Sequence, residues 1–352
     1  MRILVTLVMF SIFLICAFHS TGTAQDQPTG KVHGYVFGDY YYKVQGDSSG
    51  SGSQYSSVKK AAQAFQFRRF YLYYEQNLSE KFFAQFLLEG NDKALDPGGK
   101  HGVFVKTAFL EWKEIIPLGG LLLGLVPTPT WSLLSEKVWN YRSIEKTIID
   151  YRALGSASDI GIMLRGKFDS AGTVNYVAMI GNGNGQKPEN DKFKKYYLSL
   201  SAKPIKEFVV EGYADYQPAA ADKNKTTLKG FAAYKSADLT VGAEVFQQMQ
   251  EKARSGGADV KPFGVSLFAW APIPGVSKLN VFARFDYYDP DTEDSDSGFT
   301  ENFITAGLDF MPLKDVHFMP NVWVNTFSDK SPANISRDAD VVVRMTFFYI
   351  YK

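Results

Sequence analysis

The sequence predicts an all-β fold, a membrane-spanning antiparallel β-barrel of about sixteen strands with short turns at one end and longer loops at the other. Three observations predict it. From Lys31 to Tyr351 most segments alternate apolar and polar residues with a period near two, the mark of strands with two unlike faces. The connections between these segments alternate short and long, as the turns and loops at the two ends of a membrane barrel do. Aromatic residues make up 15% of the chain, with 20 Tyr and 28 Phe. No apolar run after the N-terminus is long enough for a membrane helix, whereas barrels use aromatic residues in girdles at both membrane interfaces.

Ahead of the strands, Met1-Arg2 precedes an apolar run over residues 3–18, and Gly22-Thr23-Ala24 follows. A positive end, an apolar core shorter than the roughly 20 residues of a spanning helix and a small-residue cleavage site define a signal peptide, residues 1–24. Residues 25–30 are then a short N-terminal segment and 31–352 a single barrel domain. Cys16, the only cysteine, lies in the signal, so the mature chain has no thiol for disulfides, metal sites or nucleophilic catalysis. Removing Arg2 leaves 37 basic against 37 acidic residues, and a neutral chain is no nucleic-acid binder by bulk charge.

Residues 31–44 read as the first strand and 63–76 as the second, with a Gly/Ser-rich stretch, 46–57, between them. The turn 77–80 leads into a third strand, 81–90, whose Phe82, Ala84, Phe86 and Leu88 share one face. Asp96-Pro97-Gly98-Gly99 is a strong turn signal before the fourth strand, 103–113, and 121–126 is the fifth. Residues 128–158 do not alternate. The rhythm resumes over 160–168, 173–181, 194–202, 207–217, 226–235, 238–248, 261–270, 279–288, 302–310, 316–327 and 340–351. A soluble sandwich of this length would split into domains, and no linker is visible. No blade repeat marks a propeller. One barrel uses every strand, leaves no open edge and at this strand number has room for an aqueous channel.

A charge on the lipid face costs about 2–4 kcal/mol at mid-bilayer. Ile160, Ile162, Leu164 and Phe168 therefore face outward, and Gly161, Met163, Arg165 and Lys167 face a polar lumen. The same reasoning turns Glu211, Tyr213 and Asp215 inward, with Asn280, Arg284, Asp286 and Arg344. Arg68-Arg69 breaks the parity: Arg69 points inward, and Arg68 sits near an interface or at a bulge. Inward cations Arg69, Arg165, Lys167, Arg284 and Arg344 thus stand against Glu75, Glu89, Glu211, Asp215, Glu244 and Asp286. Rings of one sign set channel selectivity, and this mixture predicts weak selectivity.

The stretch 128–158 opens with Pro127-Thr128-Pro129, which ends the preceding strand because proline cannot donate to the ladder. Residues 132–150 have helical stretches, with Ile144, Ile148 and Tyr151 on one apolar face. Resting that face on the barrel wall would turn Arg142, Glu145 and Lys146 toward water. Local pairing of Arg142 with Glu145 or of Lys146 with Asp150 would also hold the loop.

The segments FQFRRFYLYYEQNLSEKFFAQF, VKTAFLEWKE, LLLGLVPTP, YRSIEKTIIDYRALGSASDIGIMLRGKF and VNYVAMIGNGNG occur in this order between Phe65 and Gly185. Together they resemble the phosphate-selective porin O and porin P family of bacterial outer-membrane channels. The resemblance implies a sixteen-stranded barrel, a homotrimer, and a third outer loop folded into the lumen, here residues 128–158. It further implies a passive diffusion channel for small hydrophilic solutes and ions, including inorganic anions such as phosphate. The loop mixes Lys137, Arg142, Lys146 and Arg152 with Glu136, Glu145 and Asp150, unlike a strongly basic pattern.

The remaining function classes find less support. A barrel hydrolase needs a nucleophile with His or carboxylate support, and the mature chain has only His33, His101 and His317, with no serine motif, metal-ligand spacing or phosphate-cradling loop. No cofactor and no catalytic residue is expected. A non-conducting structural or adhesin-type barrel would share every strand signal. Its long outer loops are missing here apart from the third. The last strand alternates through Val343, Met345, Phe347, Tyr349 and Tyr351, resembling the signal by which barrel-assembly machinery inserts such chains into outer-membrane lipid.

Overall fold

The structure, a computed structural model, describes residues 29–46, 55, 57–331 and 337–352. The expected signal peptide, most of the Gly/Ser-rich stretch and part of the last long loop lie outside the described residues. Sixteen antiparallel strands close into one barrel. They are β1 (Thr29–Gln45), β2 (Gln63–Asn77), β3 (Phe82–Leu95), β4 (His101–Ile116), β5 (Gly119–Pro127), β6 (Ser158–Lys167), β7 (Val174–Gly181) and β8 (Lys195–Ile205). They continue with β9 (Phe208–Gln217), β10 (Lys225–Lys235), β11 (Thr240–Gln250), β12 (Phe263–Pro272), β13 (Leu279–Asp289), β14 (Phe299–Leu313), β15 (Val316–Asp329) and β16 (Asp340–Tyr351). Each pairs with its sequence neighbour, and β1 closes on β16 from Gly34↔Tyr351 to Gln45↔Val341. Closure leaves no unpaired edge, the condition for strands in lipid.

Several strands extend beyond the alternating core read from the sequence by up to five residues, because hairpin ladders run past the apolar band into polar ends, while β7, β11 and β12 begin one or two residues later than read. The outer face carries Ile162, Leu198, Leu200, Tyr216, Val281, Phe285, Val343, Met345 and Tyr349, all exposed. An apolar exterior over a closed ladder is what a bilayer demands. The inner face buries Glu89, Glu211, Asp215, Arg284, Asp286 and Arg344.

Two irregularities matter for the lumen. In the β1–β2 ladder Phe37 pairs with Arg69 and Gly38 with Phe67, which leaves Arg68 as an extra residue. In the β3–β4 ladder Leu87 pairs with Thr107 and Leu88 with Val105, which leaves Lys106 extra. Each is a β-bulge, which delivers two consecutive side chains to one face. Glycine permits the first: a Cβ on Gly38 would fall 2.3 Å from the Gln66 carbonyl oxygen.

Candidate functional site

Between β5 and β6 the chain leaves the wall and folds inside the barrel. It forms two short helices, α1 (Ser135–Trp139) and α2 (Ile148–Tyr151). Asn140, at φ 64°, ends α1 in the left-handed conformation. The loop is held by its apolar side chains. Trp139 is 1% exposed and packs against Phe268 on β12 at 5.3 Å between ring centroids and against Phe282 on β13. Tyr141 stacks on Phe282 at 4.5 Å. Ile148 and Ile149 pack with Trp131, Phe246 and Tyr288.

An irregular segment inside a barrel has carbonyls with no ladder partner, and buried carbonyls must find donors. The wall supplies them. Lys229 Nζ donates to the Thr130 carbonyl at 2.5 Å, Arg68 Nη1 to Ser143 at 2.9 Å and Arg344 Nη2 to Ile144 at 3.2 Å. Arg284 donates to the Lys146 carbonyl, and Gln248 Nε2 to Leu154 at 2.8 Å. These bonds explain a departure from the sequence reading. Residues 140–147 are not helical, because wall arginines take the carbonyls that a helix would use, so Ile144, Ile148 and Tyr151 do not share one helix.

Glu145 corrects a second expectation. It does not turn toward water: it is 1% exposed and accepts from Trp323 Nε1 at 3.0 Å and from the Lys146 amide. Arg142 accordingly pairs with Glu136 at 3.0 Å and Asp150 at 3.5 Å rather than with Glu145. Lys146 reaches Asp150 at 3.7 Å. Arg152 lies between the Tyr151 and Tyr288 rings and pairs with Glu301 on β14 at 2.6 Å, away from the open space.

The loop's apolar side chains pack on the inner wall along β9–β13 and β15, and open space remains mainly beside β1–β4 and β6. Two cavities lie in that space. One, of about 270 Å³, opens toward the long-loop end and is lined by Arg68, Arg69, Glu89, Arg142 and Lys146 among others. The second, of about 600 Å³, opens toward the short-turn end beside Tyr35, Tyr73, Lys137 and Arg165. Lys106, Arg142 and Asp150 line both, so the two cavities meet at these side chains. Both bulges aim there. Arg69 and Lys106 converge on Glu89 at 3.3 and 2.9 Å. Arg69, Lys106, Arg142 and Lys146 thus face Glu89, Asp150 and Glu136, and the Glu89 carboxylate is 2% exposed against 18% for Lys106 and 29% for Lys146.

The other residues singled out from sequence separate into two groups. Glu211 pairs with Lys229 and Asp215 with Lys195, both buried. Arg284 Nε holds Asp286 at 2.8 Å beneath the loop, and Arg344 is similarly covered. These five fasten the loop rather than line the passage. Arg165, paired with Glu111 at 2.8 Å, and Lys167 line the short-turn mouth with Lys113. Sequence reasoning missed Lys106 and Lys229. The only signal for Lys106 was its adjacency to polar Thr107, the same parity clash as Arg68-Arg69.

Enclosure by the surrounding barrel wall pulls the ammonium groups of Lys137, which is exposed to the lumen, and of the half-buried Lys146 below the ordinary lysine range. For Lys137 the neighbouring Arg165 adds to the effect, since like charge and desolvation both disfavour a cation.

No family model matches the sequence, and no curated protein matches it. Solved structures do match in fold. An anion-selective porin from Comamonas acidovorans superposes with a TM-score of 0.65 at 15% identity, over 92% of this chain and all of that one. The outer-membrane channel DcaP of Acinetobacter baumannii gives 0.65 at 11% identity, over 94% of this chain and all of its own. OmpF of Salmonella typhi, solved with daunomycin, gives 0.61 at 12%, over 91% of this chain and 97% of that one. At these identities the likeness is one of architecture: the fold is the closed sixteen-stranded barrel of the porins.

Proposed function

We propose that the chain is a porin of a bacterial outer membrane, exported by residues 1–24 and assembled as a homotrimer. It carries small hydrophilic solutes and ions by passive diffusion, with a weak preference for anions, inorganic phosphate among them. The observation that carries the reading is the junction of the two cavities at Lys106, Arg142 and Asp150, which on this reading is the narrowing of the passage. There four cations face three carboxylates, one of them withdrawn behind Arg69 and Lys106. Positive rings favour anions, and a margin of one charge favours them modestly. Purified protein in planar bilayers under a KCl gradient should give a reversal potential of anion-preferring sign, with chloride only modestly more permeant than potassium. No conductance, or a cation-preferring sign, would sink the proposal.

The preference should also depend on pH. An ordinary lysine loses its charge near pH 10.4, and a lowered value means that the charge is lost at lower pH. Lys137 and Lys146 therefore lose their charge at a lower pH than an ordinary lysine does. Reversal potentials taken from pH 7 upward should move toward the cationic side before the ordinary lysine range is reached. The double variant Lys137→Met with Lys146→Met should remove that early movement.

A further inference from the structure

On the short-turn side of the narrowing, the larger cavity has a wall that a water-filled diffusion channel does not need. His33, Tyr35, Tyr71 and Tyr73, from β1 and β2, line it in one array. His33 lies flat on Tyr73 at 4.7 Å with 6° between the rings. Tyr35 lies 4.6 Å from Tyr71 and 6.4 Å from Tyr73. Phe83 and Phe109 extend the ring surface along β3 and β4. The parity rule alone would put polar residues at these inward positions. Across the cavity stand Lys137, Arg142 and Arg165.

The polar groups narrow the choice of solute. Glu75 is engaged by His33 at 3.2 Å and by Gln85 at 2.8 Å, and Glu136 by Arg142. Lys137 has no carboxylate within ion-pair distance among the described residues. Among the ionised groups on this side the spare charge is thus cationic, while the tyrosine hydroxyls both donate and accept. A neutral sugar could use the rings and hydroxyls but would leave that spare positive charge unmet. A planar ring with one carboxylate uses both features that are present: its face stacks on the tyrosines, and its charge meets Lys137. A cavity of about 150 Å³ accommodates benzene, so about 600 Å³ leaves room for passage as well as binding.

Resting on the porin reading, we infer that the cavity lined by Tyr35, Tyr73 and Lys137 is a transit site for aromatic monocarboxylates, which the channel passes in preference to aliphatic acids of the same charge. The full chain in planar bilayers is tested with equal concentrations of benzoate, cyclohexanecarboxylate and acetate in KCl. Benzoate should block the ionic current at a concentration about tenfold lower than acetate, and lower than cyclohexanecarboxylate. Tyr73→Leu and Lys137→Gln should each raise the benzoate concentration for half-block by threefold or more. Tyr74→Leu, on the lipid face of the same strand, should leave it unchanged. Equal block by all three acids overturns the inference, as does full benzoate sensitivity in Lys137→Gln, whose loop position does not disturb the barrel ladder. A channel without KCl conductance overturns the porin reading itself, whereas a conducting channel indifferent to benzoate overturns this inference alone.

Discussion

Replacing Lys106 with Glu should reverse the ion preference of the channel, with the reversal potential in a KCl gradient changing sign. At the narrowing, Arg69, Lys106, Arg142 and Lys146 face Glu89, Asp150 and Glu136. Removing one cation and adding one anion turns a margin of one positive charge into one negative. It also leaves the new carboxylate beside Glu89, which Lys106 now holds at 2.9 Å, so the local repulsion is larger than the bookkeeping alone implies. Arg69, at 3.3 Å from Glu89, would remain as its one cationic partner, beside the Asn91 amide that donates to it at 2.8 Å. Because Lys106 occupies a bulge, it faces no cross-strand residue, and its replacement leaves the β3–β4 ladder intact. Lys106→Gln should give an intermediate, nearly unselective channel. Unchanged selectivity in Lys106→Glu would show that ions are chosen elsewhere along the lumen.

The barrel was legible in the sequence because its physics is local. A period of two, turn residues at fixed offsets and the high cost of charge against lipid assign most strands and both their faces without any knowledge of partners. Residues 128–158 were legible as the exception, since a segment that neither alternates nor reads as a simple turn has to be placed somewhere. What that segment touches was not legible. Arg284 and Arg344 could be turned inward from parity, yet the structure uses them to cap the Lys146 and Ile144 carbonyls, 138 and 200 residues away along the chain. No spacing rule reaches across that separation. Glu145 illustrates the same gap: an exposed-looking carboxylate in a polar loop becomes buried because Trp323, on a strand far along the chain, offers its indole N–H. Lys106 failed for a different reason. Its bulge reverses the parity of one strand end, and only the adjacency of two polar residues hinted at it.

Trp139→Ala should detach the loop from the wall without unfolding the barrel, and the two outcomes can be told apart. Truncating a buried Trp costs about 3–5 kcal/mol. Trp139 is the centre of a cluster with Val138, Tyr141, Phe268 and Phe282, and its indole N–H also donates to the Glu145 carbonyl at 2.9 Å. The barrel does not share that loss, because its sixteen strands close through main-chain ladders that the loop does not join. The loss therefore falls on the docking equilibrium, and the wall bonds to Thr130, Ser143 and Ile144 would hold only the two ends of a loosened segment. Conductance should rise and become noisy as α1 leaves the lumen wall. Trypsin should cut after Lys137 or Arg142 in the variant and not in the parent, while heat-dependent migration on gels stays that of a folded barrel. The uncut loop with unaltered conductance would mean that the wall arginines alone suffice to hold it. In that case Arg284→Ala, which removes the donor to the Lys146 carbonyl and leaves Asp286 without the arginine it now holds, should produce the open, cleavable state that Trp139→Ala did not.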